Sequence, residues 1–330
     1  MNSKPKKSFK ESFIPSKSDD TGTLISKIIV LASVAALLVC LYLVGLHFYR
    51  IWETEKNSAE LGGIYGGGAN AHVIERVTTA VTELAVTDAS GVTIKPKEPW
   101  VEPPRLPAVA EMLALNEDYQ AYISIPGVFS EVVVKNEDNE FYLTHNFYGQ
   151  KRSAGTVFAD YRNVINGEEP SDNIVLYGHN NRDGTMFGNM DFYKYNAKYW
   201  LKNPFVYFDN FYSQDVYVIL CSFITNTEPE HDNGNVFDYH NYLNFDDGQF
   251  TFESFKDNIN RRTQFFAGLE WDETDKYITL STCSYEWEPS RHVMICRKLR
   301  PGETVDNIDT TRFELNPNPE WPAIYRKYMG

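Results

Sequence analysis

Cysteine is scarce, four in 330 residues. Cys40 lies inside a long apolar run, which leaves Cys221, Cys283 and Cys296, an odd number that excludes a framework of internal disulfides. Basic residues are outnumbered, 31 against 45 acidic, and six of the lysines precede residue 28, so the rest of the chain is more acidic than the net charge of −14 indicates. A surface of that sign repels polyanions and excludes nucleic acid as a natural partner. Histidine is sparse too. His231 and His240 sit in an Asp/Asn-rich segment without the spacing of a zinc site or a calcium loop, and neither metal nor other cofactor is expected. Internal repeats and long low-complexity tracts are absent. Aromatics, by contrast, reach 15%, which suits a packed globular domain rather than a disordered one.

No Asp, Glu, Lys or Arg falls between Lys27 and Arg50, and Ile28–Leu46 (IIVLASVAALLVCLYLVGL) is almost continuously apolar. About 20 such residues span a bilayer as a helix, because the backbone then satisfies its own hydrogen bonds. Lys4, Lys6, Lys7, Lys10, Lys17 and Lys27 precede the run, so the positive-inside rule keeps the N-terminus cytoplasmic and exports the remainder. A cleaved signal peptide would have a shorter core and a small-residue cleavage site; HFYRIWETEK follows instead. The expected organisation is a basic cytoplasmic tail (1–23), a single-pass signal anchor (24–46), an extracellular linker (47–104) and a folded domain (105–330). The linker contains GGIYGGG (62–68) and a proline-rich run to Pro107, flexible and stiff respectively, with a short helix over Val73–Ala85.

Beyond Leu106 the texture changes. Ala108–Tyr119 has apolar residues at helical spacing, and Phe250–Arg262 also reads as a helix. Eight strand-like runs bounded by turn residues accompany them: AYISIPG, EVVVKNED, GTVFADYRN, DNIVLYGHN, PFVYFDN, QDVYVILCSFIT, KYITLSTC and RHVMICRKL. Many short strands with few helices point to an all-β barrel or sandwich. The tail after Pro301 is punctuated by proline and is expected to wrap the domain surface.

The stretch DKYITLSTCSYEWEPSRHVMICRKL (275–299) carries the chemistry. Two strands flank a polar loop, and the simplest hairpin register sets Cys283 opposite Arg291, with Thr279 and Ser281 on the cysteine's face. His292 then faces away, and Cys283 and Cys296 lie too far apart to pair. A guanidinium beside a thiol favours the thiolate nucleophile and can hold the oxyanion of a tetrahedral intermediate. Glu286 and Glu288 put negative charge in the loop after Cys283, either opposing thiolate formation or selecting a substrate. Cys221 and Cys296 fall within apolar runs and read as core thiols. His179 ends another strand (YGHN, 177–180), where imidazole can act as acid then base.

TLSTC (279–283), Arg291 eight residues on, YGHN upstream and the membrane anchor together resemble the class B sortases, along roughly residues 105–303. That resemblance implies a mainly β fold, a closed eight-stranded barrel with N-terminal helices and a helix inserted before the cysteine strand, preceded by one transmembrane helix. It implies a cysteine transpeptidase at the cell membrane, its catalytic domain extracellular. Cys283 would be nucleophile, His179 general acid/base and Arg291 oxyanion stabiliser, with Ser281, Thr282, Tyr177 and Tyr285 lining the substrate pocket. Its partners would be secreted proteins with a C-terminal sorting signal and an amine of peptidoglycan precursor or a pilin lysine. A Cys–His hydrolase or L,D-transpeptidase acting on wall peptides, and a non-catalytic surface β-barrel, are the competing readings.

Overall fold

The computed structural model describes residues 13–65, 100–246 and 248–329. The chain divides into two compact units, Met1–Lys56 and Asn57–Gly330. The first is dominated by the N-terminal part of helix α1 (Thr21–Tyr65), long and apolar enough to cross a membrane. Asp20 begins it, its Oδ1 accepting from the amides of Gly22 (3.0 Å) and Thr23 (3.1 Å), which satisfies two otherwise orphaned donors. Lys27, the last cation before the apolar run, binds Asp19 at 2.9 Å and the Ile14 carbonyl at 3.1 Å.

The second unit contains ten strands: β1 (Tyr119–Ile125), β2 (Phe129–Val134), β3 (Val157–Ala159), β4 (Asn173–Tyr177), β5 (Phe205–Asp209), β6 (Gln214–Asn226), β7 (Phe265–Phe266), β8 (Tyr277–Ser284), β9 (Ser290–Lys298) and β10 (Glu314–Leu315). Eight close on themselves in the order β6-β5-β1-β2-β3-β4-β8-β9, with β9 returning to β6; β7 and β10 extend from β6. All eight strand-like runs of the sequence became barrel strands. Closure leaves the barrel no exposed edge of its own to recruit another chain.

Helix α2 (Val109–Leu115) is shorter than its periodicity implies, because Asn116 ends it. The Asn116 side chain accepts from the Asp118 amide and donates to the Phe147 carbonyl, and Tyr119 opens β1 instead. Helix α3 (Ala197–Lys202) precedes β5. The inserted helix is α4 (Phe252–Arg262), which starts two residues late because Thr251 caps it, accepting from Ser254 N at 3.1 Å. Phe252, Phe255 and Ile259 form its buried stripe, and Arg261 and Arg262 complement the dipole at its C-terminus. Helix α5 (Ala323–Met329) closes the chain.

The larger core gathers residues from every barrel strand, from α4 and from Phe237–Leu243. A second core joins Val132 and Val134 of β2 to α2 and to the last turns of α1. Residues 57–65, assigned to the linker from their glycines, are therefore packed helix. Leu61 and Tyr65 are buried, Tyr65 stacks on Tyr122 at 4.6 Å and its hydroxyl donates to Asp209 at 3.0 Å. A Cβ on Gly62 would stand 2.9 Å from the Tyr122 hydroxyl, so this glycine serves close approach rather than flexibility. The anticipated helix over Val73–Ala85 lies outside the described residues. Trp100–Pro107 runs along the β5–β6 turn, where Leu106 N donates to the Phe211 carbonyl at 2.7 Å. The tail does lie on the domain: β10 pairs with β7, and Arg261 binds Glu320 at 2.8 Å.

Two outcomes follow from this packing. Leu280→Ala removes a fully buried side chain from the barrel core and is expected to cost about 2–5 kcal/mol, read by thermal or denaturant unfolding. Glu131 on β2 is buried, and burial pushes its carboxyl up to about 7 against the opposing hydrogen bonds from Ser58 and the Met186 amide. Its ordinary value is 4.5, so between these pH values the folded state holds a proton that the unfolded chain releases, and stability falls as pH rises through 7. Glu131→Gln should flatten that fall and gain on the order of 3 kcal/mol above pH 7; parallel stability–pH curves for the two proteins would show the carboxyl to be ordinary.

Candidate active site

Strand β8 sits between a parallel neighbour, β4, and an antiparallel one, β9. The β9 register sets Cys283 directly opposite Arg291, as the hairpin spacing implies. On the other side Tyr177 pairs with Ser281, and the chains stay together beyond the formal end of β4. Gly178 N donates to the Ser281 carbonyl at 3.2 Å, and Asn180 Nδ2 donates to the Cys283 carbonyl at 2.8 Å. His179 lies two residues past Tyr177 and Cys283 two past Ser281. Continuing the β4 register past Tyr177 sets His179 beside Cys283, whose antiparallel partner is Arg291. Within β8 only Cys283 is exposed; its other seven residues are buried.

His179 is half-buried, and its Nε2 lies 2.7 Å from the Leu143 carbonyl. A carbonyl only accepts, so Nε2 carries the proton and Nδ1 is left uncommitted. Gly155 makes room for this arrangement. It adopts φ +63°, and a Cβ there would meet the Tyr142 carbonyl at 2.5 Å, the Leu143 carbonyl at 3.0 Å and His179 Cδ2 at 3.1 Å.

The three thiols of the domain differ sharply. Burial pushes the Cys221 thiol up to about 12 and the Cys296 thiol well above its ordinary range, whereas Cys283 faces solvent. All three are free. His292 points away from Arg291 into the interior, bonded to Ser222 Oγ at 2.7 Å, and burial drives its pKa well down, so it is neutral.

The residues expected to line a pocket are placed unevenly. Ser281 and Thr282 are each 2% exposed, and their hydroxyls are engaged internally. Ser281 Oγ meets Tyr239 Oη at 2.6 Å, and Thr282 donates to the Gly178 carbonyl at 2.6 Å, stitching β8 to β4. Both lie beneath the surface that Cys283 occupies. Tyr177 is half-buried and donates to Asp160, which Arg162 also binds. Tyr285 is 51% exposed at the rim, its hydroxyl donating to the Asn180 carbonyl and its ring lying under the Arg182 guanidinium, 5.0 Å away.

Several neighbours carried no signal of their own. Tyr239, from the segment between β6 and α4, is buried close enough to Arg291 and Cys283 to feel both. Burial raises its phenol, while the Ser281 hydrogen bond and Arg291 pull the other way. Lys194 and Asp191 stand behind Glu286, and Tyr325 of α5 meets the loop residue Trp287 edge-on at 5.9 Å. Each is an ordinary residue type in a segment remote from the cysteine, so only its position marks it. Among the described residues no three His, Cys, Asp or Glu side chains converge as a metal site requires.

No protein-family model matches the chain. Sortase B of Listeria monocytogenes is 27% identical over 190 residues, covering 56% of this chain and 70% of that protein. Among solved structures, sortase B from Bacillus anthracis in complex with AAEK1 superposes with a TM-score of 0.56 at 20% identity, over 77% of this chain and 99% of that one. A Staphylococcus aureus sortase B–substrate complex superposes with a TM-score of 0.52 at 24% identity, over 60% and 87%. In sequence the chain resembles sortase B, and in fold it shares the closed eight-stranded barrel of the sortase B structures.

Proposed function

We propose that Cys283 is the nucleophile, His179 the general acid/base and Arg291 the oxyanion stabiliser of a reaction that moves an acyl group from a C-terminal sorting signal to an amine. What supports this is the pairing of Cys283 with Arg291, the Tyr177–Ser281 register that leads the chain after β4 to His179 on the other side, and Cys283 as the single exposed position of its strand.

The Cys283 thiol gives its proton to Nδ1 of His179 as the sulfur attacks a backbone carbonyl of the signal, and the tetrahedral oxyanion is met by Arg291, a fixed charge with several donors. As the amide C–N bond breaks, His179 gives its proton to the departing amine, leaving a thioester on Cys283. An incoming amine then attacks that thioester, the C–S bond breaks, and its proton returns to the imidazole. With Nε2 held by Leu143, Nδ1 is the nitrogen that exchanges protons. The buried Cys221 and Cys296 have no part.

The substrates fit an envelope enzyme: secreted proteins bearing a sorting signal as donors, and an amine of peptidoglycan precursor or a pilin lysine as acceptor. The S. aureus relative's complex with a substrate supports a peptide donor here. The N-terminal helix would hold the domain at the outer membrane face, N-terminus inside, where donor and acceptor concentrate. Residues 105–330 form the catalytic domain in this reading, with the helical turns 57–65 as an added support.

Incubation with sorting-signal peptides and an amine such as triglycine should yield a joined product; hydrolysis alone would instead identify a protease-like enzyme. Cys283→Ala is expected to abolish both cleavage and joining, while Cys221→Ala and Cys296→Ala keep measurable turnover below their melting points. His179→Ala and Arg291→Ala should each lose turnover by about 100-fold or more with unchanged circular dichroism. Equal loss in all five variants would mean damage to the fold rather than to the chemistry. Gly155→Ala should lower kcat more than it raises KM, because it disturbs the carbonyl that orients His179.

A further inference from the structure

Glu286, three residues beyond Cys283, poses an electrostatic problem for a thiolate, and the structure contains its answer. The Lys194 side chain is 4% exposed, an unusual state for lysine, and its Nζ stands 2.8 Å from Asp191 Oδ1 and 3.2 Å from Glu286 Oε2. Tyr195 Oη donates to Glu286 Oε1 at 3.1 Å, and the Ser284 hydroxyl donates to the same carboxylate. Burial opposes ionisation of Glu286, but Ser284 and Lys194 outweigh it and hold the carboxyl below its usual range. Asn180, next to His179, closes the circuit: its Nδ2 donates to Asp191 Oδ1 and to the Cys283 carbonyl, both at 2.8 Å.

Lys194 ends the 3-10 turn Gly188–Tyr193, whose last residue is fully buried and donates through its hydroxyl to the Asn203 carbonyl. The ammonium is thus delivered from a rigid base. An ion pair this deep loses much of its Coulombic gain to desolvation, so stability alone is a poor reason for it.

We propose that Lys194 is a positioning residue of the active site: it cancels the charge of Glu286 and ties the β8–β9 loop to Asn180, so that Cys283 faces His179 and Arg291 without an opposing carboxylate. This rests on Cys283 being the nucleophile. The other charged or titratable groups on the elements around Cys283 are His179 in the segment after β4, Arg291 from β9, Tyr239, and Tyr285 with Arg182 over its ring, whereas Glu286 is bonded to Lys194, Tyr195 and Ser284. An uncompensated carboxylate a few residues away disfavours a thiolate by about one pH unit.

The test is the pH profile of Cys283 alkylation by iodoacetamide in the full chain, alongside peptide transfer. Lys194→Met should move the midpoint up by about one unit and slow alkylation at neutral pH about ten-fold. Glu286→Gln should move it the other way, and the double variant should return to within about half a unit of wild type, because the remaining Asp191 side chain is 35% exposed and screened by water. Unmoved profiles in both single variants, or a double variant as impaired as Lys194→Met, would overturn the proposal. Should Lys194→Met fail to fold, the sign of the Glu286→Gln shift decides alone, no shift or an upward one counting against it. A wild-type Cys283 that neither alkylates nor supports transfer would sink the nucleophile assignment instead, which separates the two failures.

Discussion

The position of β8 between a parallel and an antiparallel neighbour is the constraint on which the active site depends. Side chains alternate along a strand, so a slip of one residue would turn Cys283 inward and bring Thr282 or Ser284 to the surface. The register is held from both faces. Ile278 and Leu280 are buried in the core, while Thr279 binds Asn173 and Ser281 meets Tyr239. Apolar burial sets how strongly the strand is held, and these polar contacts set where it stops. Because β4, β8 and β9 are adjacent staves of a closed barrel, the register of β8 sets where Cys283 stands against Arg291 and against the chain leaving β4.

Around that ladder, each polar group that bears on the chemistry has a partner that decides its state. The Leu143 carbonyl selects the protonated nitrogen of His179, and that carbonyl is reachable because Gly155 has no side chain. Asn180 holds the Cys283 carbonyl, and the carboxylate of Glu286 is turned inward upon Lys194. The exposed Cys283 thus has Arg291 as its cross-strand partner, while the Glu286 carboxylate three residues on is ion-paired to Lys194. The buried thiols illustrate the opposite extreme, since desolvation keeps Cys221 and Cys296 neutral and inert.

Two outlying segments are built into the domain. The last turns of α1 contribute Leu61 and Tyr65 to the second core, and the C-terminal helix brings Tyr325, stacked on Trp321 at 4.0 Å, against Trp287 in the loop that joins Cys283 to Arg291. Both attachments use aromatic faces. A flat ring gives large contact area with little rotamer entropy to lose, which suits the anchoring of a short segment.

Much was determined by the amino-acid sequence alone: the apolar membrane-length helix, eight barrel strands, the inserted helix, the opposition of Cys283 to Arg291 and the interior fate of Cys221, Cys296 and His292. These are local quantities. Period-two alternation, hydropathy and the spacing of seven intervening residues between Cys283 and Arg291 need no knowledge of distant partners. Tertiary structure alone decided that His179 stands level with Cys283, since a parallel pairing between strands a hundred residues apart leaves no local trace. It also decided that Ser281 and Thr282 are buried, that Gly62 packs rather than flexes, and that Glu286 is neutralised by Lys194. Charge and glycine in a sequence state what a residue can do; which neighbour it meets depends on chain closure, and that selects among the possibilities.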